Sequence, residues 1–183
     1  VERAIWDAKR FRRALDIAAD IAVTDTFGRV KEVNSTFEQI SGYSPQEILG
    51  KNHRLLNSGV HPASFWQTFW TTIKSGQVFR GELCNKRKDG TLYWVDASVV
   101  PQRDSLGNIV EFIAIRHDIT ERKRVEAQLS RQRSVQLAIS SVQDRLLAGA
   151  PPRQVCELLL QSLLEYTGSA FGYIGEVQYV EGT

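Results

Sequence analysis

Between Val78 and Ile119, apolar and polar residues alternate with a period of two through three successive runs: VFRGELCNKRK, TLYWVDASVVP and IVEFIAIRHDI. Such alternation puts one set of side chains on each face of a strand. Asp89–Gly90 supplies a tight hairpin turn between the first two runs, and the polar RDSLGN stretch turns the chain before the third. Strands joined by turns this short pair antiparallel, and their apolar face needs a cover. The preceding residues supply two more strands and that cover. IAVTD, TFGR and VKEVN read as strand, turn and strand. STFEQISGY places Phe37 and Ile40 at a helical step and stops at Gly42. SPQEIL has Ser44 as a cap, Pro45 at the first helical position and Glu47 at the third. Pro62 opens a longer helix, PASFWQTFWTTIKSG, with Phe65, Phe69 and Ile73 on one stripe and Trp66 and Trp70 on the next. The predicted class is α+β: a five-stranded antiparallel sheet with short helices on one face, flanked by an N-terminal helix and a long C-terminal coiled-coil helix.

The flanks have their own periods. Ile5, Ala8, Phe11, Leu15 and Ala18 return at three- and four-residue steps, which predicts a helix over residues 1–19. From Thr120 a helical pattern runs for almost thirty residues. Val125, Leu129 and Gln132 form one seam and Val135, Ile139, Val142 and Leu146 another, out of register with the first. Such a discontinuity overwinds a coiled coil locally. AGAPP breaks the pattern, RQVCELLLQSLLEYTG resumes it, and SAFGYIGEVQYV reads as a strand. The expected organisation is an N-terminal helix at 1–19, a sheet domain at 20–118, a connecting helix at 119–148 and the start of a truncated domain at 149–183.

A net charge of +2 gives no strong field for nucleic acid or a membrane surface. Cys84 and Cys156 fall in separate units, so a disulfide framework is not expected and a reducing, cytoplasmic compartment is the default. No apolar run is long enough to span a bilayer, so direct membrane contact by this segment is not expected. The chain starts without Met and ends in a strand-like run, and reads as the middle of something longer. P-loop, GxSxG, CxxC and HExxH patterns are all absent, and His53, His61 and His117 share no metal-ligand spacing. No catalytic or metal site is expected within these residues.

The stretches TDTFGRVKEVNSTFEQISGYSPQEILGKN and NKRKDGTLYWVDASVVPQRDSLGNIVEFIAIRHDITERKRVEAQL resemble the opening and closing halves of a PAS domain, over about residues 14 to 121. The second ends in the family's DIT motif, Asp118–Thr120, which starts an output helix. LLLQSLLEYTGSAFGYIGEV resembles the start of a GAF domain. This series is typical of bacterial sensor histidine kinases and diguanylate cyclases, whose catalytic part would lie beyond Thr183.

The run GKNHRLLN resembles the cofactor loop of flavin-binding LOV domains, with His53 where those carry the photoreactive Cys; a His cannot form that thioether. Val95 and Arg116 replace an Asn and a Gln of the same domains. The loop length from Gly50 to Trp70, Pro62, Trp70 and the NKRK run are more similar to the FAD-binding PAS type of aerotaxis receptors and nitrogen-fixation redox sensors. Phe79 departs from that type, which has a Trp there. The resemblance implies FAD, with Asn52, Arg54, Asn85 and Arg116 as polar contacts and Trp66 and Trp70 as walls. It also implies a signal relay through Asp118, Thr120 and a basic residue of the strand hairpin, Arg87 or Lys88. The functional expectation is a homodimer, paired through its flanking helices, that passes a redox or ligand signal to its own downstream output domain. The alternative is a ligand-free PAS module serving dimerisation and relay.

Overall fold

In the computed structural model of the chain, residues 10, 14 and 16–175 are described. Five strands, β1 (Asp20–Asp25), β2 (Val30–Val33), β3 (Phe79–Lys86), β4 (Leu92–Arg103) and β5 (Ile109–Asp118), form one antiparallel sheet in the order β2-β1-β5-β4-β3. Between β2 and β3 lie α1 (Ser35–Ser41), α2 (Pro45–Ile48), a 3-10 turn (His53–Leu56) and α3 (Ala63–Lys74). Two helices follow the sheet, α4 (Thr120–Leu147) and α5 (Pro152–Thr167). The chain divides into two compact units, Val1–Lys123 and Arg124–Thr183.

Local chemistry sets the element ends. Asn34 caps α1 by accepting from the Phe37 N–H, and Gly42 stops it in the left-handed region at φ +74°. Ser44 and Glu47 form a capping box on α2, with Pro45 at its first position. Three apolar clusters fill the sheet unit. Ala22, Val30, Phe37, Ile48 and Leu56 pack together under α1 and α2. Phe69 and Ile73 of α3 meet Val99 and Phe112, and Leu83, Tyr93, Val95 and Ala97 form the third.

Since β5 lies between β1 and β4, the first hairpin closes onto the last strand, a pairing that joins Asp20 to Arg116 at one end and Asp25 to Glu111 at the other. Asp20 is thereby set opposite Arg116. The outer strand β3 has its free edge capped at Cys84 and Asn85 by the loop that precedes α3. Cys84 N–H donates to His61 Nε2 at 2.8 Å, Ser58 Oγ donates to Cys84 O at 2.6 Å, and Asn57 bridges Asn85. Occupied backbone groups no longer offer a template for another strand.

Of the expected N-terminal helix, residues 10, 14 and 16–18 are helical; the rest lies outside the described residues. The strand expected from SAFGYIGEVQYV is not formed over residues 169–175, and its remainder also lies outside them. Without a partner strand, backbone N–H and C=O groups have no ladder to join. Along α4, Val125, Leu129, Ile139 and Leu146 are exposed, while Val142 is buried. Among the described residues no helix is long and apolar enough to cross a membrane.

Candidate functional site

A cavity of about 520 Å³ lies in the sheet unit, between α3, the 3-10 turn and the inner face of the sheet. All six residues expected to contact a cofactor line it: Asn52, Arg54, Trp66, Trp70, Asn85 and Arg116. They come from three places. Arg54 belongs to the 3-10 turn and Asn52 caps it, Trp66 and Trp70 belong to α3, and Asn85 and Arg116 to β3 and β5. The apolar walls also include Phe69, Ile73, Leu83, Val99 and Phe112.

The polar groups are not equivalent. Asn52 is engaged in its own loop: Nδ2 donates to Phe27 O and Oδ1 accepts from the Arg54 N–H, both at 3.0 Å. It shapes the rim as the cap of the 3-10 turn. Asn85 and Arg116, by contrast, are almost fully buried. Among the described residues, Asn85 Nδ2, Arg116 Nε and Trp66 Nε1 are buried N–H groups without a hydrogen-bond partner, and the Tyr93 O–H and Asp20 Oδ2 also lack one. An unpaired buried donor costs about 1–3 kcal/mol. A ligand edge rich in acceptors would remove that cost.

Arg116 is the buried cation of the site. Its Nη2 donates to Asp20 Oδ1 and its Nη1 lies beside His53 Nε2, each at 2.8 Å, and its plane stands over the Phe37 ring. Burial pushes the Asp20 carboxyl up, and Arg116 opposes that shift. Burial, with the positive charge of Arg116, pulls His53 down to about 3. Tyr93 nearby is pushed up to about 12 by burial. Neither Asp20 nor His53 is among the expected contact residues, although His53 lies in the loop that resembles a cofactor loop. A signal for Asp20 existed: it occupies an inward position of the alternation shared with Ala22 and Thr24.

His53 and His61 have separate roles. His53 faces Arg116. His61 stacks on Phe65 at 4.2 Å and holds the edge of β3. Among the described residues no group of three or more His, Cys, Asp or Glu is placed to hold a metal ion.

Two residues beyond Arg116 the strand ends at a junction. Asp118 Oδ1 accepts from the Thr120 N–H at 2.7 Å, capping the start of α4. Arg87 Nη2 lies 3.5 Å from Asp118 Oδ2. Arg87 also donates to Ile40 O and lies over the Tyr93 ring. Trp94 N–H donates to Thr120 Oγ1 at 3.0 Å, and Ile119 N–H donates to Trp94 O at 2.9 Å. The three expected relay residues, Asp118, Thr120 and Arg87, are therefore adjacent. Lys88 pairs instead with Glu47.

A sheet of this order, with a helix-covered cavity and a helix leaving its last strand, defines a sensory domain. Residues 30–116 match the family described as the PAS fold, and the chain carries a PAS domain. It is similar to sensory and regulatory proteins. A nitrogen fixation regulatory protein of Klebsiella oxytoca is 32% identical over 119 residues, 65% of this chain and 24% of the relative. The aerotaxis receptor of Escherichia coli (strain K12) is 34% identical over 101 residues, 55% of this chain and 20% of that protein. The methanogenesis regulatory histidine kinase FilI of Methanothrix harundinacea is 29% identical over 99% of this chain and 20% of its own length. This chain thus spans a quarter or less of these relatives. Among solved structures, an RNA-binding light-oxygen-voltage receptor matches with a TM-score of 0.62 and 26% identity, over 74% of this chain and 39% of that one.

Proposed function

We propose that this PAS domain holds FAD in the cavity under α3 and senses redox state. The observation that carries the reading is the cavity itself. Its apolar walls can take a flat ring, and its unpaired buried groups are N–H donors that suit the carbonyl edge of an isoalloxazine. Asn85, Arg116 and Trp66 would hold that edge, and Trp70 would wall the ring. Arg54 and Lys74, also on the lining, supply positive charge that suits an anionic tail. When bound, the flavin supplies reversible electron uptake. The protein's part is to bind and orient the ring and to report changes in hydrogen bonding along β5 to Asp118. The similarity to the nitrogen fixation regulatory protein and the aerotaxis receptor supports this reading, since the sequence resembles the FAD-binding type of those proteins.

The output is proposed to be a histidine kinase domain beyond this segment. The match to FilI across nearly the whole chain supports a kinase over a cyclase. Exposed Val125 and Leu129 on α4 supply an apolar seam for pairing with a second copy.

Colour tests the cofactor. Protein purified in the dark should show the flavin absorption bands and release FAD on denaturation. Apoprotein that stays colourless after incubation with FAD would leave the ligand-free relay reading in its place.

A further inference from the structure

The pairing of His53 with Arg116 carries more than the cavity reading requires. A guanidinium has five donors and no acceptor, so a ring nitrogen 2.8 Å from Arg116 Nη1 must accept. The His53 proton therefore sits on Nδ1. The low basicity of His53 agrees, because a second ring proton would face the guanidinium. Arg116 is held from its other side by Asp20, and the two side chains are 1% and 0% exposed.

His53 also begins the 3-10 turn. That turn carries Arg54 and leads into Asn57, both on the cavity lining. Its backbone is tied to the first hairpin: His53 N–H donates to Gly28 O, Val30 N–H to Lys51 O, and Arg29 bridges Asn52. The His53 side chain adds a tie of a different kind, to the centre of the sheet, on the strand that ends two residues later at the helix junction.

We infer that His53 is a positioning residue: accepting from Arg116 Nη1 as the Nδ1–H tautomer, it locks the cavity rim to β5, so that displacement of the rim by a ligand is delivered to Asp118 and Thr120. The identity of the ligand does not enter. The fold has placed a proton-accepting side chain where the rim and the last strand meet.

The test uses the full chain, labelled with ¹⁵N, as wild type, His53→Leu and His53→Gln. Leu removes the acceptor, while Gln offers an amide oxygen near the position of Nε2. Long-range ¹H–¹⁵N spectra of the wild type should show the Nδ1–H tautomer unchanged from about pH 5 to 8, where an ordinary His titrates. His53→Leu should move the backbone amide resonances of residues 116–120 and of Trp94, and His53→Gln should return them toward the wild-type positions. An Nε2–H tautomer, or titration in that range, would overturn the inference. So would unmoved amides in His53→Leu, or a His53→Gln spectrum displaced as far as that of His53→Leu. Should His53→Leu fail to fold, the wild-type tautomer and the His53→Gln spectrum decide alone.

Discussion

Asp20→Asn and Arg116→Met each break the same buried pair, yet their costs should differ in size and in pH dependence. The two charges are 2.8 Å apart and almost fully enclosed. Asp20→Asn leaves a guanidinium that cannot lose its proton, and stranding one member of a buried pair costs about 3–5 kcal/mol. The amide retains an acceptor oxygen, so the low end, about 3 kcal/mol, is expected. Asn also removes the Asp20 titration, whose raised folded value makes wild-type stability fall with rising pH, so the Asp20→Asn penalty should not grow between about pH 5 and pH 7. Arg116→Met strands a carboxylate that can take up a proton, and burial already pushes it in that direction. Neutralising a carboxyl of ordinary acidity costs at most about 4 kcal/mol at pH 7 and about 1.5 kcal/mol at pH 5, at 1.36 kcal/mol per unit. The native state then binds the proton more tightly than the unfolded chain, so stability falls as pH rises from the unfolded value of 3.8 through the raised folded one. Urea unfolding at the two pH values, read as midpoints at constant slope, measures this. An Arg116→Met penalty that does not shrink at the lower pH, or an Asp20→Asn penalty below about 1 kcal/mol, would refute the buried ion pair.

Three further outcomes are expected. Gly28→Ala forces a side chain into φ +80° and sets its Cβ 3.0 Å from the Trp70 ring, so a loss of about 1–3 kcal/mol is expected in thermal or urea unfolding; an unchanged midpoint would count against this packing of Trp70. Thr120→Val removes the acceptor of the Trp94 N–H, for about 1–2 kcal/mol and faster amide exchange at Trp94; equal protection would mean that the junction is held otherwise. His61→Phe keeps the ring stacked on Phe65 but leaves Cys84 N–H without its acceptor, which should cost about 1–3 kcal/mol and expose residues 57–61 to protease.

Much of the fold was legible because its signals are local. Alternation in β3, β4 and β5, the Asp89–Gly90 turn, the Ser44–Glu47 box and the Pro62 helix start each need only neighbouring residues. The residues expected to face a cofactor came from resemblance, and the structure gathers all six onto one cavity. Asn52 shows the limit of such transfer. Its residue type suits a ligand contact, but its amide is engaged by Phe27 and Arg54, and only the loop's path decides that. The Lys88 alternative fails for the same kind of reason: α2 brings Glu47 to it, while Arg87 turns toward Asp118.

Periodicity and turn chemistry alone determined that this chain makes a five-stranded antiparallel sheet covered by short helices and followed by a long one, because both act within a few residues. Tertiary structure decided that β5 enters the middle of the sheet, and with it that Asp20, His53 and Arg116 meet. Those three are separated by tens of residues, and no local pattern records a pairing made by chain closure. A buried charge is tolerated only where distant segments deliver its partners, so the chemistry of this site exists in the fold and not in any stretch of the sequence.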